Sequence, residues 1–138
     1  MSRIDFFSAM EVSASGMNAQ RTRMNVASSN LANVSTTRGA DGGPYKRRDV
    51  VLAATAGEPG TGVHGVEVAQ IQQDAAPPRM EYDPGHPDAN AQGYVAYPNV
   101  NMVEEMVDMI TASRAYEAGI TALDTAVSLA ERAISIGS

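Results

Sequence analysis

At 138 residues the chain holds one ordinary domain or a small domain with long appendages, and 43% hydrophobic but only 5% aromatic residues limit any core to a small, mostly aliphatic one. The absence of cysteine excludes a disulfide framework and thiolate metal or redox chemistry. The net charge of −6 is unevenly spread, with seven Lys/Arg against three Asp/Glu in residues 1–48 and three against thirteen in residues 49–138; this reads first as solvated faces on separate elements, and more sharply as subunits stacking with the basic portion of one against acidic surface of the next.

The first expected element is a helix over 5–34. Phe6, Met10, Ser13, Met17, Gln20, Met24, Ala27, Leu31 and Val34 recur in steps of four and three, with Met10, Met17 and Met24 seven apart, which is the spacing of a heptad seam. Gly16 lowers intrinsic helix stability, and together with Ser13, Ala14, Ser15 and Ala19 it lets another backbone come close. Methionine suits a surface that packs against several slightly different neighbours. The plain alternative is a two-helix hairpin whose seams satisfy each other within the monomer. Asp5 and Glu11 interrupt the stretch where a secretory signal would need unbroken apolar sequence, and no run approaches the roughly 18 apolar residues of a membrane span, so neither membrane insertion nor a cleaved leader is expected.

The helix is expected to stop within 33–37, where Asn, Ser and Thr compete for the backbone with their own side chains, and 38–44 follows as a Gly-rich loop. The basic run Tyr45-Lys46-Arg47-Arg48 reads as a solvated strand edge or protein contact. It lacks the extended basic face and aromatic platforms that nucleic-acid binding requires. All seven prolines and nine of the twelve glycines lie between residues 39 and 98. Within that middle, 48–53, 63–72, 79–82 and 94–97 read as short strands, and 56–62 and 83–93 as turn-rich linkers. Strands this few bury one face only if something covers them, and the base of the two helices is the expected cover.

The last element is a long helix over 101–135. Met102, Met106, Met109, Ser113, Tyr116, Ile120, Leu123, Val127, Ala130 and Ile134 form one seam in which only Ser113 is polar. Asn101 is placed to cap it, Glu104, Glu105 and Asp108 put negative charge near the positive end of the dipole, and Arg132 and Gly137 suit the opposite end, Gly137 as a left-handed exit residue. The fold class expected is α+β: long terminal helices pairing as a coiled-coil-like arm, with a small antiparallel β domain between them.

Nothing in the chain points to catalysis. Asp83, His86 and Asp88, with His64 elsewhere, are the only residues with ligand character, and they sit among Pro, Gly and Asn as turn residues do, short of the four convergent ligands of a structural zinc site. There is no phosphate loop, dinucleotide fingerprint or nucleophile elbow. Catalytic, cofactor and metal residues are therefore expected to be none.

Ser15-Gly16-Met17-Asn18-Ala19-Gln20-Arg21, leading into Ser29-Asn30-Leu31-Ala32-Asn33-Val34-Ser35-Thr36, resembles the N-terminal signature of the bacterial flagellar rod and hook proteins. Gly42-Gly43-Pro44-Tyr45-Lys46-Arg47-Arg48-Asp49, then Gly93-Tyr94-Val95-Ala96-Tyr97-Pro98-Asn99-Val100-Asn101 and Ser113-Arg114-Ala115-Tyr116-Glu117-Ala118, is similar to the proximal-rod members of that family over nearly the whole chain. The turn after Asn33 lacks the Thr-x-Gly-aromatic form of the hook and distal rod proteins, and Gly119 stands where a larger polar residue is expected. The resemblance implies a structural subunit of the basal body, exported through the flagellar type III apparatus and assembled in the periplasm into a tubular drive shaft around the export channel. It implies as partners other copies, sister rod proteins, the adaptor at the membrane ring and the export gate. Residues 1–37 and 99–138 would then form the rod core, and 38–98 the β-rich middle. The subunit interface would run through Phe6, Met10, Met17, Met24, Leu31 and Asn33 on the first helix and Met102, Met106, Met109, Tyr116, Ile120, Leu123, Val127 and Ile134 on the last. The competing class is a soluble helical adaptor or export-chaperone module that uses the same seams to hold a single partner.

Overall fold

The computed structural model describes residues 3–57, 59–60 and 62–137; positions 58 and 61 of the expected 56–62 linker, and residues 1, 2 and 138, lie outside them. A helix α1 (Arg3–Ala32) is followed by strands β1 (Arg48–Ala54), β2 (Val66–Gln73), β3 (Arg79–Tyr82) and β4 (Tyr94–Tyr97) and by a second helix α2 (Met102–Ile136). At 1.5 Å per residue the helices run about 45 and 52 Å, well beyond the radius of gyration of about 14 Å for a compact chain of this size.

Local chemistry sets the helix ends. Past Ala32 the Asn33 side-chain amide donates to the Ser29 carbonyl at 2.9 Å, and its carbonyl oxygen accepts from the Thr36 hydroxyl at 3.1 Å, which turns the chain out of the helix. Asn101 caps α2, its side-chain oxygen accepting from the Val103 and Glu104 amides at 3.0 and 3.2 Å. The other end of α2 departs from the expectation: Gly137 keeps right-handed backbone angles (φ −79°, ψ −4°), its amide donates to the Ala133 carbonyl, and Arg132 falls short of the last turn. The helix there continues its own bonding pattern to the end, so no left-handed exit is needed.

The four strands form two separate antiparallel pairs, β1 with β2 and β3 with β4. In the first pair Val51 faces Gln70 but Leu52 faces Val68, so Ala69 is an extra residue that bulges the ladder. Val66 and Val68 are half-buried while Ile71 points to solvent. The cover for this pair is α1: the Ser15 hydroxyl accepts from the Val66 amide at 3.1 Å and donates to the Val12 carbonyl at 2.7 Å, seating the strand on the helix. In the second pair β3 is exposed throughout and β4 is the inner strand, with Val95 fully buried. Gly93 precedes β4 at φ +85°, and a Cβ there would lie 2.8 Å from the Tyr82 ring, so the turn requires a residue without one.

The helices are antiparallel, since Met17 lies against Gly119 and Asn30 bonds Glu105. The small core (Ala19, Ala27, Val95, Val100, Ala112) gathers toward the end where α2 begins.

Candidate assembly surface

The helix pair uses only part of the expected α2 seam. Met109, Tyr116, Leu123 and Ala130 are half-buried and form one column of the contact with α1. The other column is shifted one residue from the expected Met106, Ser113, Ile120 and Val127: it runs through Glu105, Ala112, Gly119 and Ala126, of which Glu105 and Ala112 are fully buried. Close approach explains the shift. A Cβ on Gly119 would stand 2.6 Å from Met17 Cγ, so this glycine is the hole that Met17 fills, and a larger residue there would hold the helices apart. On α1 the residues Phe6, Met10, Met17, Met24 and Leu31 are all half-buried, in register with Met17. Asn33 is likewise half-buried, engaged in the local bonds that end α1.

What the pairing leaves over is apolar and open. Met102 and Met106 are each 51% exposed, Val103 69%, Val107 and Ile110 54%. Ile120, Val127 and Ile134 continue the exposed apolar surface toward the end of α2. No helix of the described residues is long and apolar enough to cross a membrane. A contiguous exposed apolar strip has the character of a protein contact.

Orientation of the strip depends on a polar node that local sequence patterns do not reveal. Asn30, buried on α1, donates to the Arg48 carbonyl at 2.9 Å and to Glu105 Oε2 at 3.1 Å, and accepts from the Tyr45 hydroxyl at 2.8 Å and the Arg48 amide at 3.0 Å. Arg47 Nε donates to Glu105 Oε1 at 2.6 Å, and its guanidinium lies within 3.5 to 3.9 Å of Asp74, Asp108 and Asp49. Burial works to lower the Arg47 pKa, but the bond and charge of Glu105, with Asp49 and Asp74, outweigh it and hold the group above its ordinary value. The Arg47 amide also donates to Asn99 Oδ1 at 3.1 Å. The basic run, expected to be a solvated strand edge or protein contact, is divided: Arg48 is exposed, while Arg47 ties the start of β1 to the first turn of α2 and, through Glu105, to Asn30 on α1. The contacts span up to 75 residues of sequence, which is why periodicity could not show them.

Asp88, expected to be no more than a turn residue, is a second tie. It accepts from the Thr37 hydroxyl at 2.7 Å and pairs with Arg38, joining the β3–β4 loop to the segment after α1, while His86 Nδ1 accepts from the Asp88 amide at 3.0 Å. Among the described residues no three His, Asp or Glu side chains converge as a metal cage. The Thr37 bond, then the Arg38 bond, hold the Asp88 carboxyl below the usual range. A carboxyl depressed by folding stabilises the fold above its unfolded pKa of about 3.9 and loses that contribution as pH falls through the lower folded value. Acidification below about pH 4 is therefore expected to release Thr37 and Arg38 before the helix pair opens. NMR titration of the Asp88 carboxyl with amide exchange at 36–39 measures this, and an unshifted carboxyl contradicts it.

Two long antiparallel helices with an open apolar strip, joined through two small β pairs, define the architecture of a structural subunit. Comparison with known proteins gives that class its family. Residues 10–40 match the family model described as flagella basal body rod protein, and residues 91–136 match the flagellar basal body rod FlgEFG protein C-terminal model. The chain is 45% identical to the flagellar basal-body rod protein FlgC of Borreliella burgdorferi over 94% of this chain and 96% of that protein. It is 42% identical to FlgC of Yersinia enterocolitica over 99% of each, and 40% identical to FlgC of Bacillus subtilis over 95% and 97%. The chain belongs to the FlgC family of flagellar basal-body rod proteins. It is a structural component of the basal-body rod.

Proposed function

We propose that the chain builds a tube by laying its two terminal segments, residues 1–37 and 99–138, which carry α1 and α2, beside those of other copies and sister rod proteins, with residues 38–98 as a module outside the helical wall. The tube carries torque from the membrane ring to the hook and encloses the export channel. In this reading the subunit reaches the periplasm unfolded through the type III export gate, meets the adaptor at the membrane ring, and performs no chemistry.

The observation that supports it is the open strip of Met102, Val103, Met106, Val107 and Ile110 on a helix whose opposite side is already occupied by α1. Burying each such side chain contributes about 1.5–3 kcal/mol, so five of them supply an association energy that an isolated subunit forgoes. Met106→Asp with Ile110→Asp tests it. Both positions are exposed, so the variant is expected to match the parent in circular dichroism and thermal melting. Swimming is expected to be lost and the chain to be missing from purified basal bodies. Normal incorporation of a folded variant overturns the proposal.

A further inference from the structure

Each helix carries a second seam that pairing within the chain does not use. On α1, Ala14, Asn18, Arg21, Asn25 and Ser28 recur in steps of four and three, and all are exposed. On α2 the exposed heptad position that holds Val103 and Ile110 holds Glu117, Asp124 and Glu131 further along. The two surfaces have complementary charge. Arg21 bonds only Asn18, at 2.8 Å, and among the described residues neither it nor any of these three carboxylates belongs to an ion pair.

Inside one chain Arg21 is not paired with Glu117, and Asp124 and Glu131 are out of its reach. With Met17 beside Gly119 and Asn30 beside Glu105, Arg21 stands level with roughly residue 115, and Asp124 lies about 14 Å further along the axis. Open-ended assemblies of a single chain repeat one heterologous contact with one polarity. We infer that the outer seam of α1 in one copy packs on the outer seam of α2 in the next, the copies displaced by about 14 Å along the helix axis so that Arg21 sits among Glu117, Asp124 and Glu131. Asn18 then faces Ser128, Asn25 faces Thr121, and Glu11 lies near Arg132 instead of the acidic positions. A register shifted one heptad back would instead set Phe7 against Glu131, an aromatic ring against a carboxylate. The small residues Ala14 and Ser28 allow the close approach. The charges choose the register and make it salt-sensitive, and the strip at Met102–Ile110, beyond the reach of the neighbour's α1 in this stagger, is left for another contact. The inference rests on the rod reading and adds to it the identity and stagger of one contact.

The chain has no cysteine, so Asn18→Cys with Ser128→Cys gives an unambiguous cross-link that leaves Arg21 and Asp124 intact. Within one chain these positions are about 16 Å apart along the axis, too far for a disulfide, which needs Cα atoms within about 7 Å. Oxidised basal bodies are expected to yield dimers and larger multiples of the chain that vanish on reduction. Basal bodies that contain the chain but give no such species overturn the inference and leave the rod reading standing, whereas absence of the parent chain from basal bodies overturns both. Asp124→Arg and Arg21→Asp are each expected to lower incorporation at least about tenfold and the combined exchange to restore it. A combined exchange no better than either single change overturns the pairing, as does restoration only by a compensating change in a sister rod protein.

Discussion

Replacing Glu105 by alanine is expected to destabilise the folded chain by about 3–5 kcal/mol, because it leaves the Arg47 cation buried without its principal partner. The Glu105 side chain is 1% exposed and that of Arg47 17%, so water cannot fully take over the lost bond. The same change removes one of the acceptors of the Asn30 amide. A small domain holds only about 5–15 kcal/mol of net stability, so a loss of this size is a large share of the whole. Denaturation followed by circular dichroism measures it. Glu105→Gln is expected to cost less, since an amide still accepts from Arg47 but weakens the charge-assisted bond. A loss below about 1 kcal/mol for the alanine variant would place the node in the class of solvated surface pairs and remove it as the element that sets α2 on α1.

That node is also what local sequence patterns conceal. Helix existence and most boundaries were legible, because caps and periodicity are local: Asn101 caps α2 as its position suggested, and β3 and β4 occupy 79–82 and 94–97 as turn chemistry indicated. One of the two columns facing α1 was not, because Glu105, Ala112, Gly119 and Ala126 look unsuited to a seam until Met17 is seen filling the hole over Gly119. Apolar periodicity picks out every greasy position on a helix, and α2 has enough of them for two faces. Which face is already taken is decided by shape and by a buried carboxylate, neither of which a hydrophobic pattern records. The Arg47–Glu105 bond spans 58 residues, and the Asp88–Thr37 tie 51, so both depend on tertiary placement.

Hydrogen exchange of the isolated subunit is expected to show a steep gradient along α2, with slow amides at 105–112 and fast ones from about 124 onward, differing by at least about a hundredfold, or roughly 2.7 kcal/mol of local opening. The cause lies in what each half buries. Glu105 and Ala112 are the fully buried residues of α2, both in its first third, whereas Ile134 and Ile136 are 74% and 85% exposed. Beyond Ala112 one column toward α1 holds Gly119 and Ala126, which bring little apolar area, and the other holds Tyr116, Leu123 and Ala130, only half-buried, against a backbone entropy cost of about 1–2 kcal/mol for each ordered residue. The matching half of α1, around residues 5–12, is expected to open with it, since antiparallel pairing places the two ends together. Incorporation into the rod covers the open faces and is expected to erase the gradient, raising protection at 124–136 to the level of the base. Uniform protection along α2 in a verified monomer would mean the reverse: the pair then satisfies itself, and neighbouring copies contribute nothing to the order of its ends.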